Sequence, residues 1–329
     1  MAAGDLEAGM ARERQRGWAR RIQGAALLGL IALGGAATTQ PAPLRIDQDK
    51  TELRVTIGGS AFTTYRFAPT PDDPHWNRPY FYPVLAADDT EVTSDQQREV
   101  LKDPKVDHPH QRSLWVGHGN VNGADHWLDK KFQQRHLKFT SILPDGFVEE
   151  LSWDGVGAEP VLTETRTVKF VVYPDGNRGV DITSALTAAG GDAIFKCKPL
   201  NVSGVEAGLC AVRMAKPLLD APAATKKITT GSGAAGEKEA RSTPSDWCDY
   251  SGTIAGKSYG VAMVNFPQNP GGDTAWHVRL FGLLAHIGLP EWTLGKGKTA
   301  TFRHLVIIHT GDAAQAGVAE KAAAWRTAL

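Results

Sequence analysis

The chain has few cysteines and no excess of charge of either sign. Its 329 residues include three cysteines, 36 basic side chains and 36 acidic side chains, so the formal net charge is zero. Nucleic acids and anionic lipids attract basic surfaces, and this balance therefore argues against nucleic acid as a partner. The chain also lacks a second apolar run of membrane-spanning length after residue 39, so contact with a membrane is expected only through the N-terminal segment.

The first 39 residues have the pattern of a secretory signal peptide. Five arginines lie within the first 21 residues, and an uncharged run rich in Ala, Leu and Gly follows at 24–37. This run is shorter than the roughly 20 apolar residues of a spanning helix, and it ends in small residues suited to cleavage. We therefore predict export to the periplasm or the extracellular space, with an uncleaved anchor as the alternative. Residues 40–329 are predicted to form a single domain.

The cysteines give no sign of a metal site or a redox motif. Cys197, Cys210 and Cys248 are widely spaced and form no C-x-x-C pair. An oxidising compartment allows one disulfide, for which Cys197 and Cys210 are the best pair because a hairpin would bring them together. At least one thiol is left over, and we expect it to be buried as a small apolar side chain.

Most of the chain shows the two-residue period of β-strands. The alternating segments are 53–57, 61–67, 136–143, 147–153, 163–173, 180–187, 208–214, 259–266 and 302–309. Turns rich in Pro, Asp and Gly separate several of them, and one helix is predicted at 312–328. The pattern predicts a large antiparallel two-sheet β-sandwich with a C-terminal helix. Long loops are predicted at 69–106 and at 221–245, the second either a plain surface loop or a lid.

The strongest sign of function is a polar cluster at 107–125. It holds three of the ten histidines together with one arginine, two asparagines and several glycines. Such groups are costly to bury unless they are paired or bind something, so a functional site is the leading interpretation. In an extended segment, His108, His110 and Arg112 would point to one side and form a wall.

Three interpretations of the cluster stay open. His108, His110 and His118 could hold a divalent metal ion, because imidazole is a common metal ligand. Alternatively, His110 or His118 acts as a general acid or base while Arg112 orients the substrate. A structural polar network is the third interpretation. Further candidates for hydrogen bonds to a substrate are Asn120, Asn122 and Asp125.

Two carboxylates outside the cluster are candidate catalytic groups. Glu164 lies in the middle of a predicted strand, where a surface ion pair with Arg166 is the alternative interpretation. Glu206 stands at the start of an apolar strand, where a simple loop charge is equally compatible with the sequence.

Two later segments carry candidate substrate-binding residues. Asp249 and Tyr250 could form part of a sugar platform, although aromatic side chains also pack in cores. His277 and Arg279 repeat the His/Arg pairing at a spacing of two residues. We predict that they form the second wall of the cleft.

The order of these motifs resembles the PmoA-like family of exported bacterial proteins. The matching segments in the first half are 77–84, 107–110, 112–115, 117–123 and Trp127, and those in the second half are 163–166, Glu206 with 208–209, 246–247, 249–252, 269–270 and 276–279. The resemblance covers nearly all of residues 40–329 and implies a role in carbohydrate or keto-sugar metabolism. The family commonly has a histidine where this chain has Gln111, which leaves His108 and His110 as the better candidates.

The family name "methane oxygenase PmoA" is borrowed from a membrane subunit with several spans. A chain without such spans does not have that function. We expect instead a sandwich similar to those of sugar mutarotases, which binds a carbohydrate or another small polar molecule. The sequence favours an enzyme that acts on a sugar or keto-sugar derivative by hydrolysis, lyase cleavage or epimerisation, through His/Glu acid–base or metal-assisted chemistry. A non-catalytic carbohydrate-binding or envelope-associated module is the alternative.

Overall fold

The computed structural model describes residues 43–71, 73, 76–103, 105–128, 131–196, 208–286 and 291–328. The predicted signal peptide, Cys197 and Glu206 lie outside these ranges. The described residues belong to one compact unit. No helix within them is long and apolar enough to cross a membrane.

Eighteen strands and four short helices make up the described part of the chain. The strands before residue 160 are β1 (Leu44–Gln48), β2 (Glu52–Ile57), β3 (Ser60–Arg66), β4 (Tyr80–Val84), β5 (Leu114–Val116), β6 (Gln134–Leu143) and β7 (Gly146–Trp153). The later strands are β8 (Leu162–Val172), β9 (Arg178–Ala188), β10 (Ala193–Lys196), β11 (Cys210–Arg213), β12 (Lys227–Thr230), β13 (Trp247–Ile254), β14 (Lys257–Asn265), β15 (Trp276–Arg279), β16 (Leu283–His286), β17 (Glu291–Leu294) and β18 (Thr299–Thr310). The helices are α1 (Gln96–Lys102), α2 (Lys216–Asp220), α3 (Gly236–Ala240) and α4 (Val318–Thr327), with a 3-10 turn at Ala223–Thr225.

The strands form two eight-stranded sheets and a two-stranded ribbon, and their pairings are antiparallel. Sheet A has the order β1-β2-β3-β4-β5-β11-β16-β15, and sheet B has the order β12-β13-β14-β18-β9-β8-β7-β6. The ribbon pairs β10 with β17. Alternating apolar residues from the two sheets meet in a single large core, as in a sandwich. The predicted fold class is thereby confirmed.

The strand predictions agree closely with the strands of the structure. Each of the nine predicted strands overlaps a strand of the structure, and the ends differ by at most three residues. The C-terminal helix begins later than predicted, after Gly317, whose φ of 60° is left-handed. Its buried side chains pack on the outer face of sheet B, opposite the main core.

Three sequence predictions need correction. The predicted loop at 69–106 contains β4 and α1, and the one at 221–245 contains β12 and α3. The histidine segment is not extended, because His108 and Ser113 have positive φ values of 51° and 59° and break the alternation.

Cys210 is a free buried thiol and does not form the predicted disulfide. Burial raises the pKa of Cys210 to about 12, so this thiol is unreactive at neutral pH.

Candidate functional site

The outer face of sheet A carries aromatic and histidine side chains in one row across the strands. Tyr80, Trp115, Ala211, Ala285 and His277 are successive cross-strand neighbours on β4, β5, β11, β16 and β15. Residues one position along these strands pack in the sandwich core, so the row faces away from sheet B. Two alanines therefore separate Trp115 from His277, whose Cα atoms lie three strand spacings apart, or roughly 14 Å.

A second row on the same face carries two arginines. Arg213 and Arg279 flank Leu283 in the register of β11, β16 and β15. Both guanidinium groups lie over the ring of Phe281, at 5.2 Å and 5.1 Å from its centroid. The ring of His108 also stacks on Phe281, with the two ring centroids 4.6 Å apart.

Two of the three histidines of the predicted cluster, His108 and His110, lie at the rim of this face. The rings of His108 and His110 are 5.6 Å apart, and 38% of the His108 side chain is exposed. Arg78 fixes the backbone here, because its Nη2 donates to the His110 carbonyl at 2.5 Å. The site thus runs from an accessible rim at His108 to buried side chains at Trp115 and His277.

The rings of His110 and His277 are both neutral at physiological pH. Burial and the charges of Arg78 and Arg213 lower the pKa of His110 to about 3. Burial and the charge of nearby arginines likewise lower the pKa of His277 to about 3. A neutral imidazole offers one donor and one acceptor, which suits it to hydroxyl groups and to proton transfer.

The arginines leave net positive charge on this face. Arg213 pairs with Asp107 at 2.9 Å, and Arg279 pairs with Glu237 at 2.9 Å. Arg78 differs, because it donates only to backbone carbonyls and forms no ion pair with a carboxylate among the described residues. Burial lowers the pKa of Arg78 to about 9, which still leaves it charged at neutral pH.

Several buried hydrogen-bond donors on this face have no partner within the described ranges. They are Nε1 of Trp115 and the Nε atoms of Arg78 and Arg213; Nδ1 of His277, which donates or accepts according to the tautomer, also has no partner there. Tryptophan and arginine nitrogens can only donate. Buried polar atoms are nearly always paired in folded proteins, so the face is complementary to a ligand rich in oxygen acceptors.

A model of a family of unknown function, DUF6807, matches residues 52–324. The chain belongs to the DUF6807 family. No curated protein matches it significantly. Among solved structures it is similar to a polysaccharide lyase, with 12% identity, a TM-score of 0.35 and 84% of this chain covered. It is also similar to a putative kojibiose phosphorylase from the human microbiome, with 6% identity, a TM-score of 0.40 and 86% covered. The DUF6807 chain spans about a third of the length of each.

Arg112 does not line the site of this DUF6807 chain. Its guanidinium is 1% exposed and binds Asp95 at 2.6 Å, Asp73 at 2.5 Å and the Tyr80 hydroxyl at 2.6 Å. Two carboxylates at hydrogen-bonding distance therefore satisfy its charge. The structure does not support the predicted role of Arg112 in orienting a substrate, because these carboxylates and Tyr80 enclose its guanidinium.

The later residues of the cluster shape their own loop. Nδ1 of His118 accepts from the Asn120 backbone at 3.2 Å, and the His118 ring packs edge-on against Phe195. Asn122 binds the backbone of β10, and Asp125 caps the following turn through two backbone N–H groups. Among the described residues, no group of three His, Cys, Asp or Glu side chains is arranged to hold a metal. The predicted set of His108, His110 and His118 is therefore not assembled.

Glu164 lies in the sandwich core of the DUF6807 chain. It forms a two-pronged ion pair with Arg166, with both contacts at 2.8 Å, and both side chains are at most 1% exposed. Trp153 donates to the same carboxylate at 2.8 Å, and Arg166 donates to the Tyr65 hydroxyl on sheet A at 3.0 Å. Neither a catalytic role at the outer face nor a surface ion pair fits this position.

The remaining predicted residues divide between the two sheets. His277 and Arg279 join His108 and His110 at the outer face of sheet A. Tyr250 is a core residue whose hydroxyl donates to the Leu280 carbonyl, whereas Asp249 lies on the opposite side of the same strand. Glu206 is outside the described residues.

Sequence reasoning missed three residues of this face. Trp115 lies within the polar cluster, and Arg78 and Arg213 lie elsewhere in the chain. The available signal was an arginine in an otherwise apolar strand, Cys210–Arg213, since a lone charge is rarely buried without a purpose.

Proposed function

We propose that the outer face of sheet A binds a carbohydrate-derived ligand and that His110 and His277 transfer protons to and from it. The observation that carries the proposal is the row from Trp115 to His277, with buried donors that have no partner in the described chain. Sugars present many oxygen acceptors, and N–H donors without partners suit such acceptors. Export and membership of the PmoA-like family remain part of this proposal.

The charge on the face favours reactions in which negative charge develops on the ligand. Arg78 and Arg213 lie near His110, and their charges are among the causes of its low pKa. An oxygen that gains negative charge here would be stabilised by these arginines and would raise the basicity of the imidazole. Removal of a proton from a carbon next to a carbonyl places negative charge on the carbonyl oxygen and therefore needs such stabilisation. Within the predicted classes, lyase cleavage or epimerisation therefore suits the site better than hydrolysis.

A pair of substitutions at His277 separates binding from proton transfer. In His277→Gln, hydrogen bonding is kept and proton transfer is lost, so we expect binding within about threefold of wild type and turnover reduced by about 10²-fold or more. In His277→Ala, we expect both to be weakened. Binding is measured by calorimetry on a panel of neutral, acidic and keto sugars, and turnover by chromatography of the products.

The control is Arg135→Ala, which removes an exposed side chain that pairs with Asp154 away from this face. We expect this variant to match wild type in both assays. Wild-type binding without turnover on any sugar would favour the non-catalytic binding module. If His277→Ala and His110→Ala bind every sugar as wild type does, the outer face of sheet A is not the site.

A further inference from the structure

A cavity of about 440 Å³ lies on the outer face of sheet B, on the opposite side of the sandwich from the proposed carbohydrate site. It opens between β12, β13 and the segment that leads into α4. Its lining includes Lys227, Thr229, Trp247, Ser251 and Glu320. This volume is within the range of small-molecule sites, roughly 300–1,000 Å³.

A fully buried Asp–His pair lies directly behind the residues that line the cavity floor. Trp247, Asp249 and Ser251 alternate along β13 and therefore share one face, and the first and last of them line the cavity. Asp249 Oδ1 lies 2.7 Å from Nε2 of His309, and both side chains are fully buried. The chain thus places a carboxylate and an imidazole directly beside Ser251.

Gly260 makes this arrangement possible. Ser251, Gly260 and His309 are cross-strand neighbours on β13, β14 and β18. A Cβ at position 260 would lie 2.6 Å from Nε2 of His309 and 2.8 Å from Cβ of Ser251. The imidazole therefore lies over the glycine and reaches toward β13, where a side chain at position 260 would block it.

Three oxygen atoms near this floor can accept hydrogen bonds and have no partner among the described residues. They are Oδ2 of Asp249 and the hydroxyl oxygens of Ser251 and Thr229. A carboxylate only accepts, so Nε2 of His309 is the donor to Asp249. This acceptor set is the reverse of the donor set on the outer face of sheet A.

The charge of the cavity has the matching sign. Three carboxylates, Asp249, Asp312 and Glu320, stand on or behind its walls, against one lysine and the His309 ring that binds Asp249. Lys227 already donates to Asp312 at 2.7 Å. Asp249 and Glu320 form no ion pair with a lysine or arginine in the part of the chain that the structure describes. Trp247 adds an aromatic surface, which also attracts cations.

We infer that this cavity binds a small primary ammonium compound. The ammonium group has three N–H donors and no acceptor, and it matches the acceptor oxygens of Asp249, Ser251 and Thr229. Its carbon skeleton lies against Trp247 and the small side chains of the segment that leads into α4. This site is independent of the carbohydrate site.

Benzylamine and benzyl alcohol test the inference, because they have the same shape and differ in the ammonium group. We expect calorimetry at pH 7 to show benzylammonium binding at least tenfold more tightly than benzyl alcohol, as a charge-assisted hydrogen bond implies. Asp249→Asn keeps the shape of the side chain and should remove this preference. The control Asp47→Asn, at an exposed ion pair with Arg45, should retain it.

Two further variants keep the test decisive if Asp249→Asn does not fold. Ser251→Ala and the exposed-surface change Glu320→Gln are each expected to weaken benzylammonium binding severalfold, with circular dichroism as the check of folding. His277→Gln, on the opposite face, should bind the amine as wild type does. Equal affinity for amine and alcohol, no amine binding at millimolar concentration, or full affinity in folded Asp249→Asn would overturn the inference.

Discussion

Lowering the pH from 7 to 5 is expected to remove most of the stability of the fold. Burial lowers the pKa of six histidines, to about 3 or 4 where a value is given: the half-buried His110 and the buried His118, His126, His277, His286 and His304. Their neutral forms are fully favourable above the unfolded pKa of about 6.5. As the pH falls below this value, the unfolded chain takes up protons that the folded chain cannot accept, so stability is lost.

The size of this loss follows from the number of histidines. Each one contributes about 2 kcal/mol between pH 7 and pH 5. Together they approach the whole stability of a typical domain, about 5–15 kcal/mol. Urea unfolding at several pH values measures the loss. In His286→Gln, which removes one titrating ring, the loss should be smaller by about 2 kcal/mol. A urea midpoint that is constant from pH 7 to pH 5 would contradict the prediction.

Replacing Arg166 by methionine is expected to lower the free energy of unfolding by about 3–5 kcal/mol. The substitution leaves the Glu164 carboxylate buried in the core with only the Trp153 donor. An uncompensated buried charge is far more costly than the ion pair is favourable. The double variant Glu164→Leu/Arg166→Met removes both charges, and we expect it to recover much of the loss.

An exposed ion pair gives the matched control. Lys216 and Asp220 are 2.6 Å apart on α2, with 72% and 62% of their side chains exposed. Lys216→Ala should therefore change the free energy of unfolding by less than about 1 kcal/mol. Denaturant unfolding gives the free energy of unfolding of each variant, with one common slope for its dependence on denaturant concentration. If Arg166→Met were as mild as Lys216→Ala, the core ion pair would have no structural role.

Strand prediction from the sequence was easiest where only one face of a strand is buried. β8 alternates clearly, since one face meets the core and the other meets solvent. β13 shows no such period, because α4 and its preceding segment cover the outer face while the core covers the inner one. β5 has only three residues, all buried, which is too short for a period to appear.

The chemistry of the candidate site was visible in the sequence, but its geometry was not. His108, His110, His277 and Arg279 were recognised by residue type, and sheet pairing through β11 and β16 brings them together. The burial of Arg112 depends on ion pairs with Asp73 and Asp95, which lie 39 and 17 positions away. A local pattern carries no information about such distant partners.

The Tyr65 hydroxyl binds Glu149 and Arg166 across the sandwich. Apolar contacts between two sheets tolerate small sliding movements, because they are not directional. A hydroxyl held by two charged groups on the facing sheet is directional, and it fixes the angle and offset at which the sheets stack. The rows on the two outer faces, which carry the two proposed sites, are therefore held in a fixed spatial relation by directional bonds across the core, to which Tyr65 contributes together with Arg178 and Gln134.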